Sequence, residues 1–226
     1  ETLFRDKIVE LQPKLVGFSI YSPYIPVVKR LTKIVKENTS APVMWGGIHP
    51  TLSPESCLKK CDIVCIGEGE GALQDLVQSL RDGKEYESIN NLWVKQNGRI
   101  IQNPMRPLIQ DLDSVPFPAY ARDSFYFIGS NKIMREDPAI FDPILAVMPA
   151  RGCPFTCSYC VNSLLRPLYQ GLGAFNRRRS VANLIAEMKG ILAIPGIQKK
   201  LVEFHDENFG TDESWLGEFE ALYPKE

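Results

Sequence analysis

Apolar and polar positions alternate in short, readable blocks along the first third of the chain. Leu3, Phe4, Ile8 and Leu11 recur at near-helical spacing and predict a helix over 2–11. Residues 15–21 form a short apolar run, the mark of a buried strand. Val27, Leu31, Ile34 and Val35 then share one face of a helix over 26–36. A second strand at 42–45 ends in Gly46-Gly47. Ser53-Pro54-Glu55 has the form of a helix start with proline at the first position. A third strand at 63–66 runs into Gly67-Glu68-Gly69-Glu70-Gly71, and a helix over 72–80 closes near Gly83. Strand and helix in strict alternation predict an α/β fold with a parallel, doubly wound sheet.

The pattern changes after Gly83. Two β-prone runs, 92–96 and 99–102, flank Asn97-Gly98, a strong hairpin signal, and predict a small ribbon at the edge of the first domain. Residues 104–120 read as an extended, proline-rich linker, and 122–142 are irregular and aromatic-rich. Residues 143–150 form another apolar strand. Arg177, Arg178 and Arg179 could meet a carboxylate or phosphate, though a solvated basic loop is the plainer expectation. Ser180 is placed to cap a helix carrying Val181, Leu184, Ile185 and Met188. Residues 201–205 make a further strand, followed by a helix at 215–222. The domains expected are therefore 1–83, a hairpin and linker at 84–142, and a second α/β unit from 143 to 226.

Composition narrows the class. The 226 residues are 44% hydrophobic and 23% charged, an ordinary globular balance. A net charge of −1 gives no electrostatic case for nucleic acid, and no apolar run is long enough for a transmembrane segment. Six cysteines in a chain this long do not make a disulfide scaffold, and with no secretion signal a reducing, cytoplasmic setting is expected.

In open α/β sheets, ligands sit beyond the carboxyl ends of the strands. Ser19 to Ser22, Gly46-Gly47 and Gly67 to Gly69 fall there, as a ligand site or as tight turns only. His49 reads as a turn or surface residue rather than a ligand. Cys57, Cys61 and Cys65, divided between a helix and a strand, read as small buried hydrophobes rather than a second metal site.

The densest chemistry lies in Arg151-Gly-Cys-Pro-Phe-Thr-Cys-Ser-Tyr-Cys160. Cubane iron–sulfur clusters are held by cysteine thiolates, normally four. Three close thiols, Cys153, Cys157 and Cys160, would hold three irons and leave the fourth open, as a catalytic metal requires. Gly152 permits unusual backbone angles, and Pro154 keeps Cys153 out of the helical region. A zinc site, or a disulfide pair with a spare thiol, is the other reading of the same residues.

Cys-x-x-x-Cys-x-Tyr-Cys resembles the signature of the radical S-adenosylmethionine (SAM) enzymes. Gly-Phe-Ser-Ile-Tyr-Ser, Trp-Gly-Gly-Ile-His-Pro-Thr and Asp-Ile-Val-Cys-Ile-Gly-Glu-Gly-Glu, in that order, resemble the cobalamin-binding domain that precedes the barrel in many of them, over roughly residues 1–83. Asp-Leu-Asp-Ser-Val-Pro-Phe-Pro-Ala-Tyr is similar to their connector. The resemblance implies a Rossmann-like cobalamin domain followed by the first β–α units of a radical SAM partial barrel, cut short at both ends. It implies a [4Fe–4S] cluster on Cys153, Cys157 and Cys160, with the open iron chelated by SAM and SAM cleaved reductively to a 5′-deoxyadenosyl radical. Tyr159 would border the SAM adenine, and Asp206 or Glu207, ending the second barrel strand, would lie near SAM in place of the family's Gly-Gly-Glu. Ser19, Gly46, Gly47 and Gly67 would line the cobalamin. The family's Asp-x-His-x-x-Gly motif is not in this chain; many relatives bind cobalamin without a histidine ligand.

The function implied is a cobalamin-dependent class B-type methyltransferase acting on an unactivated carbon. A cyclase or rearrangement enzyme with the same cofactors, or a non-catalytic cofactor-binding module, is the alternative. Implied partners are a small-molecule, lipid-like or natural-product substrate and an electron donor such as flavodoxin or ferredoxin.

Overall fold

The computed structural model describes residues 1–120, 125–135 and 137–223. The chain divides into two compact units, Glu1–Leu108 and Ile109–Glu226.

In the first unit, α1 (Thr2–Leu11), β1 (Val16–Ser19), α2 (Ile25–Asn38), β2 (Val43–Gly46), α3 (Ile48–Leu52), α4 (Pro54–Leu58), β3 (Ile63–Cys65) and α5 (Glu70–Asp82) precede a hairpin of β4 (Leu92–Gln96) and β5 (Arg99–Gln102). The five strands form one sheet in the order β1-β2-β3-β4-β5. Strands β1, β2 and β3 run parallel, with Val16 opposite Val43 and Met44 opposite Ile63. The sheet is not parallel throughout, because the hairpin adds to it by antiparallel pairing of Ile63 with Val94. The ribbon expected from Asn97-Gly98 thus extends the sheet and buries Leu92 and Val94.

Both faces of the sheet are covered, which follows from the twofold period of strand side chains. Val43, Trp45 and Val64 enter a core with Ile8, Val28, Val35 and Leu58. Their neighbours Met44, Ile63 and Cys65 enter a second core with Ala72, Leu76 and Leu92. The indole N–H of the buried Trp45 donates to the Thr32 hydroxyl at 2.9 Å, so the largest core side chain leaves no polar group unsatisfied.

The second unit contains the hairpin β6 (Phe127–Gly129) and β7 (Lys132–Met134), α6 (Pro138–Phe141), β8 (Ile144–Val147), β9 (Ala150–Arg151), α7 (Asn162–Leu168), β10 (Arg177–Arg178), α8 (Val181–Leu192), β11 (Leu201–Phe204) and α9 (Glu213–Leu222). The stretch expected to be irregular therefore carries a hairpin and a short helix, although residues 122–124 and 136 of it lie outside the described residues. Strands β8 and β11 pair in parallel, Ile144 opposite Leu201 through Val147 opposite Phe204. Helix α8 joins them and packs Val181, Leu184, Met188 and Ile191 against Leu145 and Val147, with Trp215 and Phe219 of α9 closing the core. This is a β–α–β unit, the repeat of an α/β barrel. Ser180 caps α8 by accepting from the Asn183 amide at 3.1 Å, and Asp212 caps α9 through the Trp215 amide at 3.0 Å.

Arg177, Arg178 and Arg179 do not form a solvated basic loop. Arg177 is buried and donates to the Ile109 carbonyl at 2.8 Å. Arg178 pairs with Asp206 at 3.2 Å, and Arg179 pairs with the buried Glu187.

Candidate cofactor sites

In the first unit, Ser19, Gly46, Gly47 and Gly67 meet at one edge of the sheet, where β1, β2 and β3 end. Ser19 lies opposite Gly46 in the β1–β2 register. Gly47 follows with φ +98°, and a Cβ there would stand 2.9 Å from the Ile20 amide nitrogen and 3.3 Å from the Ser19 hydroxyl oxygen. Only glycine fits that turn. Gly67 also takes a positive φ, +72°.

Two side chains not singled out from sequence, Thr51 and Asn91, hold this edge together. The Thr51 hydroxyl donates to the Gly47 carbonyl at 2.8 Å and accepts from the Gly67 amide at 3.0 Å, tying the end of β2 to the end of β3. The buried Asn91 adopts φ +74°; it donates to the Glu68 carbonyl at 2.6 Å and accepts from the Arg106 amide at 2.5 Å. Ser22 Oγ lies 2.9 Å from Nδ1 of His49, which stands in the first turn of α3 rather than in a loop. Thr51 closes the Trp-Gly-Gly-Ile-His-Pro-Thr motif, which was the available signal; Asn91 left none.

Cys57, Cys61 and Cys65 are buried in the first unit. Burial pushes all three thiols up, Cys61 to about 12 and Cys65 to about 11. Their burial accords with the reading of all three as small hydrophobes.

In the second unit, the three remaining cysteines sit on the loop between β9 and α7, beyond the carboxyl end of β8. All three are free thiols: Cys153 buried, Cys160 half-buried, Cys157 exposed. Gly152 takes φ +81°, and a Cβ there would stand 2.1 Å from the Phe175 carbonyl oxygen, so the loop starts from a backbone contact that only glycine allows. The Cys160 amide donates to the Cys157 carbonyl at 3.0 Å, which closes a turn around Tyr159. Tyr159 is 92% exposed. Arg166 donates to the Cys153 carbonyl and stacks 5.2 Å over the Phe175 ring.

Among the described residues, no three His, Cys, Asp or Glu side chains are gathered closely enough to hold a metal ion. The donor set itself suits an iron–sulfur cluster: three free thiols on one loop of ten residues, with no fourth beside them. Asp206 and Glu207 follow β11. The Asp206 side chain is 2% exposed and accepts from the Asn208 amide at 3.0 Å as well as pairing with Arg178. Glu207 accepts from the side-chain amide of Asn162, the first residue of α7. A cavity of about 350 Å³ opens at the carboxyl ends of β8 and β11, lined in part by Phe117, Ala146, Met148, Arg179 and His205.

Residues 3–77 match the B12 binding domain family. An uncharacterized methyltransferase of Pyrococcus horikoshii is 33% identical over 210 residues, covering 89% of this chain and 41% of that protein. An anaerobic magnesium-protoporphyrin IX monomethyl ester cyclase of Rubrivivax gelatinosus is 30% identical over 172 residues, covering 71% of this chain and 29% of the cyclase. The radical S-adenosylmethionine methyltransferase TsrM of Kitasatospora setae, solved with tryptophan substrate and a SAM analogue, superposes with a TM-score of 0.68 at 18% identity, over 96% of this chain and 41% of TsrM. The cobalamin-dependent SAM radical enzyme OxsB, solved with aqua-cobalamin and SAM, gives a TM-score of 0.64 at 18% identity, over 90% of this chain and 27% of OxsB. At such identities the likeness to the solved structures is one of fold. The chain spans 41% and 29% of the two curated relatives' lengths. Over residues 3–77 this chain belongs to the B12 binding domain family, a barrel-type β–α–β unit follows, and the solved structures it resembles in fold are cobalamin-dependent and radical SAM enzymes.

Proposed function

We propose that the protein to which this chain belongs is a cobalamin-dependent radical SAM methyltransferase that acts on an unactivated carbon of a small-molecule substrate. The observation that carries this reading is the cysteine loop: three unpaired thiols beyond the carboxyl end of β8, in a chain whose first unit is a B12-binding domain. Cys153, Cys157 and Cys160 would hold a [4Fe–4S] cluster. The cluster and SAM together supply one-electron cleavage of SAM and hydrogen abstraction, and cobalamin supplies the methyl group.

The chain's own residues orient these groups. Ser19, Gly46, Gly47 and Gly67 form a backbone-lined edge that a bulky cofactor can approach closely. Thr51 keeps the ends of β2 and β3 in register beneath it. Tyr159, exposed at the turn between two cysteines, would border the SAM adenine. Asp206 and Glu207 follow β11 and are linked to the residues that flank the loop. A flavodoxin or ferredoxin supplies the electron.

A cyclase reading has one observation in its favour, the 30% identity to the Rubrivivax cyclase. Both readings are tested by incubating the full-length protein anaerobically with a reductant, methyl-labelled SAM and cobalamin. A methyltransferase yields 5′-deoxyadenosine and labelled product. A cyclase yields 5′-deoxyadenosine and unlabelled product. Absence of 5′-deoxyadenosine rejects both and leaves a cofactor-binding module.

A further inference from the structure

The two arms of the cysteine loop are tethered to two adjacent residues just past β11, one arm to each. The leading arm reaches Asp206 through Arg178. Ala150 and Arg151 pair with Arg178 and Arg177, the Arg179 amide donates to the Pro149 carbonyl at 2.9 Å, and Gly152 rests against the Phe175 carbonyl. Residues 175–179 are thus the seat of the leading arm. Arg178 locks that seat to β11: its guanidinium lies 3.2 Å from an Asp206 carboxylate oxygen, donates to the Asn208 carbonyl at 3.2 Å and sits 4.8 Å over the Trp215 ring. The trailing arm reaches β11 through Asn162, buried, two residues past Cys160, whose side-chain amide donates to Glu207.

We propose that Asp206 and Glu207 are positioning residues for the cysteine loop, Asp206 acting through Arg178 on the arm before Cys153 and Glu207 acting through Asn162 on the arm after Cys160. This rests on the reading of that loop as the cluster-binding loop. It assigns the two carboxylates a role distinct from contact with SAM. Asp206 is committed to a shielded cation and a backbone amide, and Glu207 to the amide side chain that opens α7. Groups that orient metal ligands without touching the metal change metal affinity by roughly 10- to 100-fold when removed.

Two readouts on the full-length protein test this. The first is hydrogen exchange of amides 152–161 in the cluster-free protein. The second is the rate of iron loss to a chelator after anaerobic reconstitution. Asn162→Ala and Glu207→Ala, and the volume-matched double variant Arg178→Met/Asp206→Leu, should each speed loop exchange and release iron roughly 10- to 100-fold faster. Glu207→Gln, which keeps an acceptor for Asn162, should behave nearly as wild type. Asn162→Ala alters a single side chain at a helix start and decides the matter if the double variant does not fold. Unchanged exchange and unchanged iron loss in Asn162→Ala and Glu207→Ala would overturn the proposal, as would a loss of SAM affinity in Glu207→Ala with both readouts unmoved. A wild-type protein that takes up no cluster while loop exchange still rises in Asn162→Ala would sink the cluster reading and leave the clamp as a purely structural device.

Discussion

Arg178 and Asp206 face each other across 3.2 Å, with side chains 14% and 2% exposed. Such a pair is worth little against a well-packed apolar substitute, yet breaking it from one side strands a buried charge. Asp206→Ala is expected to destabilise the protein by about 3–5 kcal/mol. Arg178→Met/Asp206→Leu should cost markedly less. Denaturant unfolding of the two variants checks the ordering, and equal losses would mean that lost packing, rather than a stranded charge, sets the cost.

Gly47 has no room for a side chain. Gly47→Ala forces a Cβ to 2.9 Å from the Ile20 nitrogen at φ +98°. A loss of about 1–3 kcal/mol is expected, from left-handed strain alone. Thermal unfolding gives the stability, and a titration with cobalamin should show weakened binding.

Thr51 carries two hydrogen bonds on one hydroxyl, to Gly47 and from Gly67. Thr51→Val keeps the shape and removes both, at about 1–2 kcal/mol. Thr51→Ser should restore most of the loss. If valine is neutral in thermal unfolding, the link between the ends of β2 and β3 is not holding the edge.

The two cysteine trios should separate chemically. At pH 8 in the native, cluster-free protein, iodoacetamide should label Cys157 first and leave Cys57, Cys61 and Cys65 unmodified, read out by mass spectrometry of peptides. The pH dependence has a definite sign. Cys61 and Cys65 are raised from 9.0 to about 12 and about 11 in the folded chain, so above pH 9 the unfolded chain sheds protons that the folded chain keeps. Their contribution to stability is complete below pH 9 and is lost as pH rises toward 12. Cys61→Ala should flatten that alkaline loss.

Much of the fold was legible because its signals are local. The spacing of Val27, Leu31, Ile34 and Val35 gave α2, Asn97-Gly98 gave the hairpin turn, and Ser180 gave the start of α8. Helix α3 was missed because Gly46-Gly47 and Pro50 read as a loop; Pro50 falls in the first turn of a helix, where its missing N–H has no intrahelical partner to lose. The burial of Arg177, Arg178 and Arg179 could not be read locally. Two of the three partners, Asp206 and the Ile109 carbonyl, lie far off in sequence and are supplied by the fold. Glu187, two turns on along α8, could have been found by helical spacing. The cysteine loop was legible from its spacing, whereas the residues that seat it were not, since Arg166, Asn162 and Arg178 differ in no local way from surface residues.

Metal and sulfide content of the anaerobically reconstituted full-length protein tests the central claim most directly. About four irons and four sulfides per chain are expected, in a brown, oxygen-sensitive protein, with both lost when Cys153, Cys157 and Cys160 are all replaced by alanine. Zinc in place of iron, no bound metal, or iron that survives the triple replacement would contradict the account.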